Sequence, residues 1–279
     1  MLSFEIIDVF TDRAYAGNQL AVVYDGQDLT DGQMQAIAQE FGYSETSFIL
    51  PPTVDGADYR ARIFTPAEEL PFAGHPTIGS ALAVVRSGRV TENTDNVVQE
   101  CAAGLMQVAV DGDTAKLTST AISVGDLLDP ALAAAACNLD PSRVIGRPQN
   151  TSAGLDHNFV RVSDSDVTAA ADVPGLMYKV YPFSFDPETN AVRARLFHEG
   201  VGEDPATGSA AVALGVYLVE QGLITGDGTH AYEISQGAEI DRPSKLYGEV
   251  VVSGGKAVSA SVTGSAVQVA RGELVALPD

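Results

Sequence analysis

Residues 210–219 carry no charged side chain, and the first charge to follow them is Glu220. Ala210, Val212, Ala213, Leu214, Val216, Tyr217 and Leu218 are apolar, and Gly222 offers a stop, so the run reads as a helix. A helix with no polar face has no side to turn to water, and must be enclosed by the rest of the chain. At about four turns it is too short for a bilayer, which needs about twenty residues. Its small residues (Gly208, Ser209, Ala210, Ala211, Ala213, Gly215) let other elements pack close. The turn before it, residues 201–209, is acidic and holds Pro205 and Gly208. A helix start carries unpaired N–H groups and the positive end of a dipole, so this turn is able to hold an anion.

A second stretch has the same character. Residues 78–85 are uncharged and small, with Arg86 at the end and Gly88 as a stop. Each stretch follows a strand ending in a similar triplet, Arg62-Ile63-Phe64 and Arg195-Leu196-Phe197, and then a loop with acidic residues and proline. The two helices start near Thr77 and near Thr207, an offset of about 130 residues that reads as an internal duplication. Each half is then a sheet wrapped round one buried helix. Strand patterns cover 4–10, 20–24, 47–50, 59–64, 97–101, 105–110 and 114–120. They continue over 158–162, 177–185, 192–197, 231–235, 247–253, 257–262 and 266–271. Thr30 and Gln33 fit a capping box opening an amphipathic helix over 31–41, closed by Gly42. Residues 65–76 read as a loop, and Asp129-Pro130 starts a short alanine-rich helix ending at Cys137. The expected class is α+β with much antiparallel sheet. The halves are expected to span 1–118, completed by about 268–279, and 119–267.

Charge narrows the partners. A formal net charge of −21, with only four lysines, argues against nucleic acid or an anionic membrane. The N-terminus lacks a basic segment followed by an apolar one, which points to a cytoplasmic protein. Cys101 and Cys137 make no disulfide framework and read as core residues. His75, His157, His198 and His230 are dispersed, with no metal-binding spacing, so no metal is expected. No glycine-rich phosphate loop follows a strand.

Candidate chemistry lies at the mouths of the two buried helices. Glu45 follows a helix stop and precedes an apolar strand. A half-buried carboxylate there can both take and give a proton near neutral pH, although an exposed strand end is the plainer reading. His75, between Gly74 and Pro76, is either a proton relay or anion donor, or a packed first-turn residue. Asp204 either complements the helix dipole or holds a substrate amino or hydroxyl group. Ser209 is either an ordinary first-turn serine or a substrate ligand.

Several motifs, in order along nearly the whole chain, carry a resemblance. They are Asp8-Val9-Phe10-Thr11 with Gly17-Asn18, Ser44-Glu45-Thr46-Ser47-Phe48, Phe72-Ala73-Gly74-His75-Pro76-Thr77, Asp204-Pro205-Ala206-Thr207-Gly208-Ser209-Ala210, and Ser235-Gln236-Gly237 with Arg242-Pro243-Ser244. The chain resembles the phenazine biosynthesis PhzF-like family. One departure is Gln19, where the family commonly has proline, which bears on loop rigidity. The resemblance implies the diaminopimelate epimerase-like fold of two pseudo-symmetric halves, each with a central helix. It implies a cofactor-free isomerase acting on a small carboxylate, cyclic ones included, held between the halves, with a tendency to homodimers. In epimerase relatives a cysteine at each helix mouth moves the proton. The corresponding loops here, Ala73-Gly74-His75 and Asp204-Pro205-Ala206, have none. The resemblance assigns proton transfer to Glu45, and substrate binding to Gly74, His75, Asp204, Gly208 and Ser209. A catalytically silent carboxylate-binding protein of the same fold is the alternative.

Overall fold

The computed structural model describes residues 1–177, 179–199 and 202–279. The chain forms two compact units, 1–117 with 263–279, and 118–262.

The first unit contains β1 (Leu2–Val9), β2 (Asn18–Tyr24), α1 (Asp31–Phe41), β3 (Glu45–Leu50), β4 (Tyr59–Phe64), β5 (Glu69–Leu70), α2 (Gly74–Arg86), β6 (Asn96–Cys101), β7 (Gly104–Asp111) and most of β8 (Thr114–Ser119). The second contains β9 (Ile122–Leu127), α3 (Pro130–Ala136), β10 (Gln149–Ala153), β11 (Asp156–Arg161), α4 (Asp164–Ala169), β12 (Lys179–Asp186), β13 (Ala191–Ala194), β14 (Leu196–His198), β15 (Gly202–Asp204), α5 (Gly208–Glu220), β16 (Gly228–Gln236) and β17 (Ser244–Ser253). The last strand, β18 (Lys256–Leu274), begins in the second unit and ends in the first.

The two units share one topology. In the first, β1 and β2 form a hairpin, β2 and β3 run parallel, β3 and β4 are antiparallel, β4 and β6 are parallel, and β6 and β7 are antiparallel. In the second the same order runs through β10, β11, β12, β13, β16 and β17. A parallel pair requires a crossover, and a helix supplies each one. These are α1 and α2 in the first unit, and α4 and α5 in the second. The expected α+β architecture, with one central helix in each half, is therefore what is observed.

The recurring arginine triplet has a physical reason. Arg62 binds both oxygens of Glu69, at 2.7 and 2.6 Å, and lies over the Phe64 ring. Arg195 binds both oxygens of Glu203, at 2.8 and 2.5 Å, and lies over the Phe197 ring. Bidentate guanidinium–carboxylate pairs fix geometry as well as charge, so each pair ties the strand to the loop that leads into its central helix.

Both central helices are enclosed, as an uncharged helix must be. Gly74 to Val84 are all buried in α2, and Ala210 to Leu218 are all buried in α5. Glycine within a helix costs up to about 1 kcal/mol relative to alanine, so Gly79 and Gly215 need an explanation. A Cβ on Gly79 would sit 2.7 Å from Leu20, and one on Gly215 would sit 2.6 Å from the Tyr232 hydroxyl. The sheet passes that close.

The helix 31–41 is observed with both arms of its capping box, and Gly42 ends it in a left-handed conformation. Other expectations need correction. The loop expected over 65–76 is shorter, because β5 interrupts it and α2 already begins at Gly74. Gly74 and Pro76 look like loop residues, yet a first helical turn tolerates both. The register of the duplication shifts accordingly. Both central helices have thirteen residues, and Gly74 corresponds to Gly208 rather than Thr77 to Thr207. The strand expected over 192–197 breaks at Arg195, whose side chain turns inward to Glu203 and to the Ala170 carbonyl. The strands 257–262 and 266–271 are one. The strand expected over 177–185 includes Tyr178, and the turn expected from 201 includes Val201; both residues lie outside the described set.

Candidate active site

In the first unit, the parallel strands β2 and β3 start side by side, with Leu20 opposite Glu45. That register puts Asn18 and Glu45 at one edge of the sheet, and α2 begins beside them. His75, the second residue of α2, is 4% exposed. Its Nδ1 lies 3.4 Å from Asn18 Nδ2 and 3.4 Å from Glu45 Oε2. The Ser44 hydroxyl donates to Asn18 Oδ1 at 3.0 Å, which orients the amide so that its NH₂ faces His75. Burial pushes the imidazole down to about 3, so His75 is neutral at ordinary pH. Nδ1 thus lies between an amide donor and a carboxylate acceptor, and the tautomer decides which of the two it serves. Nε2 is buried and has no hydrogen-bond partner.

The loop that delivers Asn18 is rigid for steric reasons. Gly17 has φ +67°, and a Cβ there would meet the Val9 carbonyl oxygen at 2.3 Å. Phe10, itself left-handed and fully buried, donates its N–H to Ser265 O at 2.7 Å. Asp8 Oδ2 accepts from the Tyr15 N–H at 2.6 Å. The motif 8–11 with 17–18 is thus a frame for one amide side chain.

In the second unit, Asp204 ends β15 just before α5. Its Oδ2 accepts from the Thr207 hydroxyl at 2.5 Å, and its carbonyl accepts from Gln236 Nε2 at 2.8 Å. Gln236 also donates to Thr207 Oγ1 and accepts from the Tyr181 hydroxyl. Gly237 has φ +79°, and a Cβ there would come within 2.5 Å of the Arg242 and Pro205 carbonyl oxygens. The motifs 235–237 and 242–244 therefore brace the loop carrying Asp204. Gly237→Ala is expected to cost about 2 kcal/mol, through the left-handed backbone and the clash with two carbonyls. Urea denaturation measures this, and a change below about 0.5 kcal/mol would contradict the account.

Ser209, the second residue of α5, is partly exposed. Its Oγ lies 3.0 Å from Nε2 of His157, a residue on β11 that is 1% exposed. Burial holds His157 down at about 3 as well. The sequence reading passed over His157, because nothing in its neighbourhood marks it. The signal was the duplication: β11 corresponds to β2 and Ser209 to His75, so a side chain backing Ser209 is expected where Asn18 backs His75.

Neither central helix has a side-chain cap, and neither has an acidic residue in its first turn. By contrast α1, α3 and α4 are capped by Thr30, Asp129 and Ser163. Four N–H groups at a helix start lack intrahelical partners. In α2, Thr77 N bonds back to Ala73 O and Pro76 has no N–H, which leaves the N–H groups of Gly74 and His75 without intrahelical partners. In α5, Gly208 and Ser209 occupy the matching positions. Such starts suit an anion.

The thiols of Cys101 and Cys137 are raised by burial, Cys137 to about 12, as inert core residues are. Among the described residues, no group of three or more His, Cys, Asp or Glu is placed to hold a metal. No helix among them is long and apolar enough to cross a membrane.

Comparison with known proteins places these motifs. The family model for PhzC-PhzF, phenazine biosynthesis-like protein, matches residues 7–272. The chain is 35% identical to antisense-enhancing sequence 1 of Schizosaccharomyces pombe, covering 95% of each. It is 33% identical to the trans-2,3-dihydro-3-hydroxyanthranilate isomerase of Pseudomonas aeruginosa, covering 98% of this chain and 99% of that one. Its structure matches a phenazine biosynthesis protein of the PhzF family from Bacillus anthracis, with TM-score 0.89, 24% identity and 99% of both chains covered. A hydroxyproline epimerase from Agrobacterium vitis has the same fold, with TM-score 0.69, 16% identity and coverage of 97% and 91%.

Proposed function

This chain belongs to the PhzC-PhzF phenazine biosynthesis-like family and is an isomerase, and from that premise we propose that it shifts a proton on a small ring carboxylate, with Glu45 as the proton-transferring group. The observation that carries the proposal is the placement of Glu45 Oε2 3.4 Å from the ring of a buried, neutral histidine at an uncapped helix start. Glu45 removes a proton from one substrate carbon, the electron pair moves along the conjugated system, and the Glu45 carboxyl, whose proton exchanges with solvent, delivers a proton to another carbon. No net charge, redox change or co-reactant is needed, so the reaction balances on Glu45 alone.

The remaining roles follow from donor and acceptor inventory. The N–H groups of Gly74 and His75, and of Gly208 and Ser209, are donors suited to anionic oxygens. The neutral His75 ring, held beside Glu45, does not compete with it for the proton. Asp204, whose Oδ2 is engaged by Thr207, is suited to a substrate amino or hydroxyl group. In a chain of charge −21, helix starts bind a carboxylate without a cluster of cations.

The substrate named for the Pseudomonas relative, trans-2,3-dihydro-3-hydroxyanthranilate, is the first to test here. Incubation with this compound in D₂O, followed by NMR, should show double-bond migration with deuterium at one ring carbon. A silent binder would show calorimetric binding with no deuterium in any of a panel of cyclic hydroxy and amino acids. That result would overturn the proposal.

A further inference from the structure

We infer that His157 is a positioning residue that donates from Nε2–H to Ser209 Oγ, turning the serine hydroxyl proton outward, so that the start of α5 recognises an acceptor such as a carboxylate. The inference rests on the reading of Ser209 as a ligand-binding residue.

Three observations support it. The imidazole Nε2 lies 3.0 Å from Ser209 Oγ, while Nδ1 is buried and has no hydrogen-bond partner. His157 is enclosed and Ser209 is partly exposed, so the histidine backs the serine from the protein side. The imidazole is neutral, held so by burial, with Lys179 and His198 acting in the same direction. It therefore carries one N–H, on one nitrogen or the other.

The choice between nitrogens is a matter of cost. Placing the hydrogen on Nδ1 would bury an N–H with no acceptor. Orphaned buried N–H groups are the rarer defect; an acceptor without a donor is tolerated more often. Placing it on Nε2 satisfies it at once against Ser209 Oγ. A hydroxyl that accepts there keeps its own proton for another partner. The Ser209 O–H then joins the N–H groups of Gly208 and Ser209, and all three are donors. Such a set fits a carboxylate and excludes an ammonium or any group that can only donate.

The tautomer is measurable without substrate. Two-bond ¹H–¹⁵N correlation spectra of protein labelled with ¹⁵N-histidine separate the two neutral tautomers and the imidazolium. His157 is identified as the ring whose ¹⁵N shift moves in Ser209→Ala, a change at a partly exposed site. The expected result is an Nε2-protonated ring that does not titrate between pH 5 and 8. An Nδ1-protonated ring, or one titrating in that window, would overturn the inference.

The ligand consequence is read by calorimetry with 3-hydroxyanthranilate and its carboxamide. Ser209→Ala and His157→Leu should each weaken carboxylate binding by about five- to ten-fold, with the double variant no weaker than the poorer single one. Binding of the carboxamide should change less. If His157→Leu fails to fold, His157→Gln, which keeps a side-chain donor, replaces it and should retain binding within about three-fold. Additive losses in the double variant would count against the coupling. An Nε2-protonated His157 with no effect of Ser209→Ala would leave the hydrogen bond standing and remove the ligand role of Ser209 instead.

Discussion

Glu45→Gln should reduce deuterium incorporation into substrate by about 10²- to 10⁴-fold, the range that a positioned general acid–base group contributes. Binding of 3-hydroxyanthranilate should stay within about three-fold, because the amide has the shape of the carboxylate and the donors at the helix starts are untouched. The Glu45 side chain is 16% exposed, and its neighbour His75 cannot take over the proton, being neutral and able to protonate only near pH 3. A fall in kcat with binding preserved therefore separates the chemical role from a binding role. Full activity in Glu45→Gln would end the assignment. Equal loss of binding and turnover would move Glu45 to the substrate-holding set.

Acid should destabilise the protein through two buried histidines, one at the start of α2 and one on β11. His75 and His157 have folded values of about 3 against an ordinary 6.5. In both, the unfolded chain binds the proton first, so stability falls as pH drops below about 6.5 and keeps falling until about 3. Each ring withdraws about 1.4 kcal/mol per pH unit in that window, or about 2 kcal/mol at pH 5. The pair together therefore accounts for about 4 kcal/mol between neutrality and pH 5, a large share of an ordinary domain's stability. Both rings are almost wholly enclosed, so solvent screening relieves little of this. Denaturant titrations at pH 7, 6 and 5 on the parent, His75→Gln and His157→Gln isolate the contributions. The glutamine variants should show shallower loss, whatever their stability at neutral pH. Parallel slopes in all three proteins would contradict the assigned protonation states.

Much of the scaffold was legible because its causes are local. The box of Thr30 and Gln33 and the stop at Gly42 define α1 within one short stretch. The absence of charge over 210–219 requires burial wherever the run ends up. The β4 strand and the hairpin strands after it follow from alternation. The break between β13 and β14 was not legible, because it depends on Arg195 reaching Glu203 and the Ala170 carbonyl just after α4. The start of α2 was misplaced because Gly74 and Pro76 look locally like loop residues. The site was visible as single residues and not as an arrangement. The Asn18–His75 contact joins residues 57 apart, and the His157–Ser209 contact joins residues 52 apart. No local pattern encodes such distances. What encoded His157 was the repetition of the fold, once its register was corrected from the threonines to the glycines.

The final strand has a consequence for how the protein is made. Leu2 to Val9 pair with residues 266–274 of β18, with a bulge between Ile6 and Ile7. The first unit is thus open at one strand until residues 266–274 have left the ribosome. The second unit, continuous in sequence, has all its residues earlier. Domains generally fold as units during synthesis, so the second unit is able to fold while the first still waits for its closing strand. During that wait the edge of β1 is a strand without its neighbour, the kind of surface on which nascent chains associate. Of the two units, the one that carries Glu45 is thereby completed later, and the chemistry proposed for Glu45 must wait until β18 has emerged.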